Sequence, residues 1–223
     1  MGILYVVATP IGNLEDITVR AVKILLTAKG IACEDTRKTG QLIKILFDRY
    51  KFLINLIDLI PKKYISVRDW NEAGSVETLI KELQKGDVAL VSDAGTPLIS
   101  DPGYKVVSIV RAAGFPVVPV PGPSALTAAL SAAGLPTDKF MFLGFWKDKY
   151  EIFPDMTTVI YESPVRMLKT LKLLRERYPA ADIVVARELT KIHEYIGPDD
   201  GVYRGEITIL VNYARSSKRG REF

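Results

Sequence analysis

Short β-branched apolar runs alternate along the chain with longer stretches of helical period, the pattern of an α/β fold. Residues 3–8 are continuously apolar, as expected of a strand covered on both faces. Residues 17–28 follow, with Ile17, Ala21, Ile24, Leu25 and Ala28 forming one helical stripe. The same reading predicts strands over 31–33, 64–67, 87–92 and 117–120, and helices over 39–47, 75–83 and 102–113. Ser75 is expected to cap the third helix, Pro102 to open the fourth and Gly114 to end it. A second half begins at Pro121, with helices over 124–133 and 164–177 and strands over 140–143, 157–161, 183–186 and 206–211. In the last strand Ile207, Ile209 and Val211 alternate with Thr208, Leu210 and Asn212. Residues 48–63 are partly apolar but have no clean period, and no repeat or long linker interrupts the chain.

Composition adds limits to this picture. A chain of 223 residues, 48% apolar and 25% charged, is an ordinary globular protein of one large or two compact domains. Disorder, a collagen repeat and a disulfide scaffold are excluded. One cysteine, Cys33, forms no intrachain disulfide, so a reducing cytoplasm is expected. With His193 the lone histidine, no zinc site of the usual ligands is expected, and no metal is assigned. No apolar run approaches about 18 residues, so no membrane span is expected. The N-terminal run reads as a first strand, not a signal peptide. The net charge is +4. Arg215, Lys218, Arg219 and Arg221 less Glu222 place +3 of it in the tail, leaving a nearly neutral body.

In open α/β sheets, ligands bind at the carboxyl ends of the strands. The first-half strands are followed there by Thr9-Pro10-Ile11-Gly12-Asn13, Glu34-Asp35-Thr36-Arg37, Arg68-Asp69-Trp70-Asn71-Glu72, Asp93-Ala94-Gly95-Thr96-Pro97 and Pro121-Gly122-Pro123-Ser124. Each loop alone is ordinary punctuation. Five on one edge, rich in small and acidic residues, suit a polar ligand held largely by backbone. No dinucleotide fingerprint and no P-loop occur. His193, flanked by charge, reads as a surface group, and Cys33 as a small core residue. Two roles fit Glu34-Asp35: a helix cap, or reactive carboxylates.

Longer blocks carry a resemblance. Ala8 to Thr18 (ATPIGNLEDIT), Glu34 to Arg37 (EDTR), Ser92 to Tyr104 (SDAGTPLISDPGY) and Pro119 to Ala125 (PVPGPSA) resemble the ribosomal RNA small subunit methyltransferase I family. Leu135 to Asp138, Tyr161 to Pro164 and Arg187 to Lys191 continue the match in order, over roughly residues 3–212. The resemblance implies the tetrapyrrole methylase, or class III S-adenosylmethionine methyltransferase, fold: two α/β domains with the active site in the cleft between them. The expected division is 1–119 and 120–213, followed by a basic tail, 214–223. It implies S-adenosyl-L-methionine as cofactor, a homodimer, and 2′-O-methylation of a cytidine ribose in the decoding region of small-subunit rRNA. It further implies that Pro10, Gly12, Asp93, Ala94, Gly95, Thr96, Pro97, Ser124, Ala125, Phe145 and Gly205 approach the cofactor. Trp70 stands where the family usually has histidine, and the segment after Phe145 is short and poor in basic residues.

A ribose hydroxyl is a poor nucleophile until its proton leaves, so a carboxylate base is expected. The candidates are Glu34, Asp35, Asp69 and Glu72, the first two preferred, with Arg37 suited to a phosphate. The basic tail is expected either to contact rRNA phosphates or to be a solvated end. Two other readings stay open: a tetrapyrrole-type small-molecule methylase, and a non-catalytic RNA-binding module.

Overall fold

Period-2 alternation in the first-half strands sends side chains to two different helix layers. The computed structural model describes residues 2–52, 55, 59–68 and 72–214, with 72 and 73 by backbone alone. Its first unit, Met1–Ser124, contains β1 (Leu4–Val7), α1 (Val19–Thr27), β2 (Gly30–Cys33), α2 (Thr36–Tyr50) and β3 (Lys63–Ser66). It continues with α3 (Glu72–Leu83), β4 (Val88–Val91), α4 (Tyr104–Ala112) and β5 (Val117–Val120). All five strands are parallel, in the order β3-β2-β4-β1-β5. Val7, Ile31, Cys33, Ala89 and Val91 pack with α1 and α2 on one face. Leu4, Ala32, Val88 and Leu90 pack with α3 and α4 on the other. Burial on both faces explains why these strands read as unbroken apolar runs.

The boundaries follow capping chemistry. Thr18 opens α1 by accepting a hydrogen bond from the Ala21 N–H at 3.1 Å. Asp35 caps α2, which therefore starts at Thr36 and overruns the expected 39–47 at both ends. Two expectations are corrected. Ser75 lies inside α3 and is buried, because Glu72 and Ala73, good helix formers, extend the helix back past it. Pro102 precedes α4, whose N-cap is Gly103.

The second unit, Ala125–Phe223, holds α5 (Ala125–Ala132), β6 (Phe140–Phe145), β7 (Thr157–Glu162) and α6 (Pro164–Arg177). After these come β8 (Asp182–Arg187), β9 (Tyr195–Gly197) and β10 (Ile207–Asn212). The sheet order is β6-β7-β10-β8-β9, with β6 and β7 parallel and every other pair antiparallel. Central β10 sends Ile207, Ile209 and Val211 into a core with Met167, Leu171 and Leu174 of α6. Val120 through Ser124 stay with the first unit, where Val120 pairs with Val7. The tail from 215 lies outside the described residues. No described helix is long and apolar enough to cross a membrane.

Candidate active site

Strand order creates a crevice in the first sheet. From β2 the chain turns outward to β3, whereas from β4 it turns the other way to β5. The topological switch point therefore lies between β2 and β4, and open sheets bind ligands outside the carboxyl ends at such points.

Loops on this edge are laced together, three links joining sheet neighbours and a fourth reaching from the β4 loop past β1 to the β5 loop. Arg68, after β3, donates from Nε to the Glu34 carbonyl at 3.3 Å. Asp93, after β4, accepts from the Asp35 N–H at 3.1 Å and from Lys38 Nζ at 2.6 Å. Thr9, after β1, exchanges backbone hydrogen bonds with Gly95, at 2.9 and 3.0 Å. Thr96 donates from Oγ1 to the Pro123 carbonyl, after β5, at 3.0 Å. Five loops thus become one connected rim. Its side chains are small where the backbone is closest: a Cβ on Gly122 would stand 3.0 Å from that of Ala8.

The two acids divide their roles. Asp35 Oδ1 accepts from the N–H groups of Arg37 at 2.8 Å and Lys38 at 3.4 Å. The Arg37 N–H above all, with the Lys38 N–H and the Arg37 guanidinium, holds the Asp35 carboxyl below the usual carboxylate range. Asp35 is therefore a helix cap and a weakened base. Glu34 is half-buried and does not cap. Arg37 is 88% exposed at its side chain, with its guanidinium 3.5 Å from Asp35 Oδ2. The hydrogen bond and charge of Asp93 raise the Lys38 pKa.

The structure brings Pro10, Gly12, Glu34, Asp35, Arg37, Asp93, Ala94, Gly95, Thr96, Pro97 and Ser124 to the first unit's carboxyl edge. Gly95 has its own reason to be glycine: φ is +78°, and both backbone polar groups are spent on Thr9. Leu98 and Ser100 in the same loop also have positive φ, a costly conformation for such residues. Ala125, Phe145 and Gly205 belong to the second unit. There Phe145 ends β6 half-exposed, its ring edge-on to Tyr161 at 6.3 Å between centroids. Asp69 lies outside the described residues, and Glu72 opens α3 with its side chain undescribed. Among the described residues, no three of His, Cys, Asp and Glu cluster as metal ligands would.

Sequence reasoning missed Lys38, and it marked Thr9 and Arg68 only as members of the carboxyl-edge loops, without their hydrogen-bond partners. For Lys38 a signal existed: a cation in a helix's first turn opposes the helix dipole, and so calls for another partner.

Comparison with known proteins gives a consistent picture. The family model for tetrapyrrole (corrin/porphyrin) methylases matches residues 3–199. The chain is 47% identical over 200 residues to a ribosomal RNA small subunit methyltransferase I from Hydrogenobaculum sp. The match covers 86% of this chain and 82% of that one. The protein of the same name from Vibrio cholerae is 41% identical, with 96% and 78% covered. Among solved structures, a uroporphyrin-III-C-methyltransferase from Thermus thermophilus superposes with a TM-score of 0.67 at 18% identity, covering 95% and 94%. Another structure of a Thermus thermophilus uroporphyrin-III C-methyltransferase, complexed with S-adenosylhomocysteine, gives 0.62 at 20% identity, covering 94% and 97%. At such identities these two likenesses establish the fold.

Proposed function

The chain belongs to the ribosomal RNA small subunit methyltransferase I family of tetrapyrrole methylases, and on that premise we propose the reaction it performs. It methylates the 2′-hydroxyl of a cytidine ribose in the decoding region of small-subunit rRNA, as a cytoplasmic homodimer using S-adenosylmethionine. The observation that carries this reading is the 47% identity to an rRNA methyltransferase across 86% of the chain. Resemblance to a tetrapyrrole enzyme is far lower, 18%.

The rim residues fit such a cofactor. Pro10, Gly12, the Asp93–Pro97 loop and Ser124 would hold it at the carboxyl edge of the first unit, and family resemblance adds Ala125, Phe145 and Gly205 to the residues assigned to it. The missing Cβ at Gly122 lets the loop after β5 pack directly against Ala8 after β1, which keeps this part of the rim backbone-lined. When bound, S-adenosylmethionine supplies an electrophilic methyl group on a sulfonium that is already a good leaving group.

The chain's own residues orient and deprotonate. Fixing the hydroxyl in line is worth on the order of 7–11 kcal/mol. Glu34 takes the ribose proton, a general-base contribution of about 10²–10⁴-fold. Asp35, held ionised as the α2 cap, fixes the loop that carries Glu34. Arg37 offers its exposed guanidinium to a backbone phosphate. Asp69 and Glu72 are the alternative acids.

The test is methyl incorporation from labelled S-adenosylmethionine into small subunits lacking the modification, with naked rRNA and a tetrapyrrole as parallel substrates. Label is expected in one cytidine ribose of the RNA. Label confined to the tetrapyrrole, or no incorporation at all, overturns the reading.

A further inference from the structure

The switch-point crevice between β2 and β4 is spanned at its mouth by one side chain. Asp93 leaves the end of β4 and meets two groups from the β2 side. Its Oδ1 accepts the Asp35 backbone N–H, and its Oδ2 accepts Lys38 Nζ. Both carboxylate oxygens are engaged within the protein. We propose that Asp93 is a positioning residue, a latch that holds the Glu34-Asp35 loop in register with the Asp93–Pro97 loop. This rests on the methyl-transfer reading, and it removes Asp93 from the residues whose side chains hold the cofactor.

Three observations support the latch. Lys38 lies in the first turn of α2, where the helix dipole disfavours a cation. Its placement is explained by the Asp93 carboxylate 2.6 Å away. The Asp93 side chain is only 24% exposed, so its carboxylate is held within the loops even though Lys38 reaches it from the solvent side. Finally, the Asp35 N–H belongs to the peptide that joins Glu34 to the helix cap. Fixing it limits rotation just where a base must be aimed. The two halves of the latch stand 55 residues apart in sequence. It therefore couples a loop assigned to the cofactor with one assigned to the nucleophile.

Two variants test the proposal. Asp93→Asn turns an amide N–H₂ or a neutral oxygen toward the Lys38 ammonium. Lys38→Met removes a partner whose side chain is 66% exposed, so the fold is kept. Misplacement of a reacting group by about 1 Å costs on the order of 10²-fold, so the Asp93→Asn single-turnover rate at saturating substrates should fall by roughly that factor. Lys38→Met should lose part of the same factor, and the double variant should be no slower than Asp93→Asn, as expected of residues acting together. Affinity for S-adenosylhomocysteine, by calorimetry, should stay within about threefold of wild type in all three. Exchange of the Asp35 amide hydrogen should be slow in wild type and accelerate in Asp93→Asn.

Affinity falling in step with rate would make Asp93 a cofactor ligand and overturn the latch. So would a normal rate in Asp93→Asn, additive losses in the double variant, or unchanged Asp35 exchange. If wild-type protein transfers no methyl group, the functional reading fails. The latch is then judged on amide exchange and cofactor affinity.

Discussion

A single carboxylate decides why residue 205 is glycine. Its φ is +64°, and a Cβ placed there would come within 1.9 Å of Glu188 Oε1. That oxygen also accepts the Glu206 N–H at 3.0 Å and Lys191 Nζ at 2.9 Å. A side chain at 205 would therefore push away an acceptor on which two donors depend. Gly205→Ala should cost about 1–3 kcal/mol from backbone strain alone, with a further loss from the displaced carboxylate. Removing the obstruction with Glu188→Ala should make the same glycine substitution milder. Urea denaturation of the two singles and the double checks this, and equal costs in both backgrounds would contradict it. The sequence marked Gly205 only through family resemblance, because the clash involves a residue 17 positions earlier in the chain. Lys38 was more open to prediction, since its conflict with the helix dipole is local.

The segment between β8 and β10 shows how an element can be held by charge. Glu188 and Thr190 both have positive φ, and Lys191 ties Glu188 to Glu206. The Lys191 ammonium, then the Glu206 N–H, hold the Glu188 carboxyl below its ordinary range. The folded pKa is thus lower than the unfolded value of about 4.3. The stabilisation is fully present above the unfolded pKa and is lost as pH falls through the folded one. Glu188→Gln lacks it at every pH. Thermal melts of wild type and Glu188→Gln should differ near neutrality, and the gap should shrink progressively as pH falls below about 4.3; a gap that stays constant into acid would assign the stabilisation to packing. Nothing in the pattern of this segment announced β9, whose three residues form a strand only by pairing along β8. By contrast, the α6 span over 164–177 was legible, because a proline and a helical apolar stripe are both local signals.

Ligand linkage makes the whole chain testable. A molecule that binds only the folded state raises stability by about 2.7 kcal/mol at 100 times its Kd. S-adenosylhomocysteine should therefore raise the Tm with rising concentration, and a chelator should leave it where it is. A Tm unmoved by S-adenosylhomocysteine would remove the cofactor assignment. Which residues meet such a ligand depends on strand order, and strand order has no local signature. The alternation of apolar runs and helical stripes predicted the first-half strands, and their loops share one edge because those strands are parallel and all end on the same side. Hydrophobic period depends on neighbours two to four residues apart, so sequence alone determined the order of the elements other than β9, and the carboxyl-edge loops. The motif blocks determined the family. Only the tertiary structure placed the switch point between β2 and β4, turned Asp35 into a cap, and set Asp93 against Lys38. The reason is physical: each loop residue has several feasible hydrogen-bond partners, and the order β3-β2-β4-β1-β5 selects which of them come within reach.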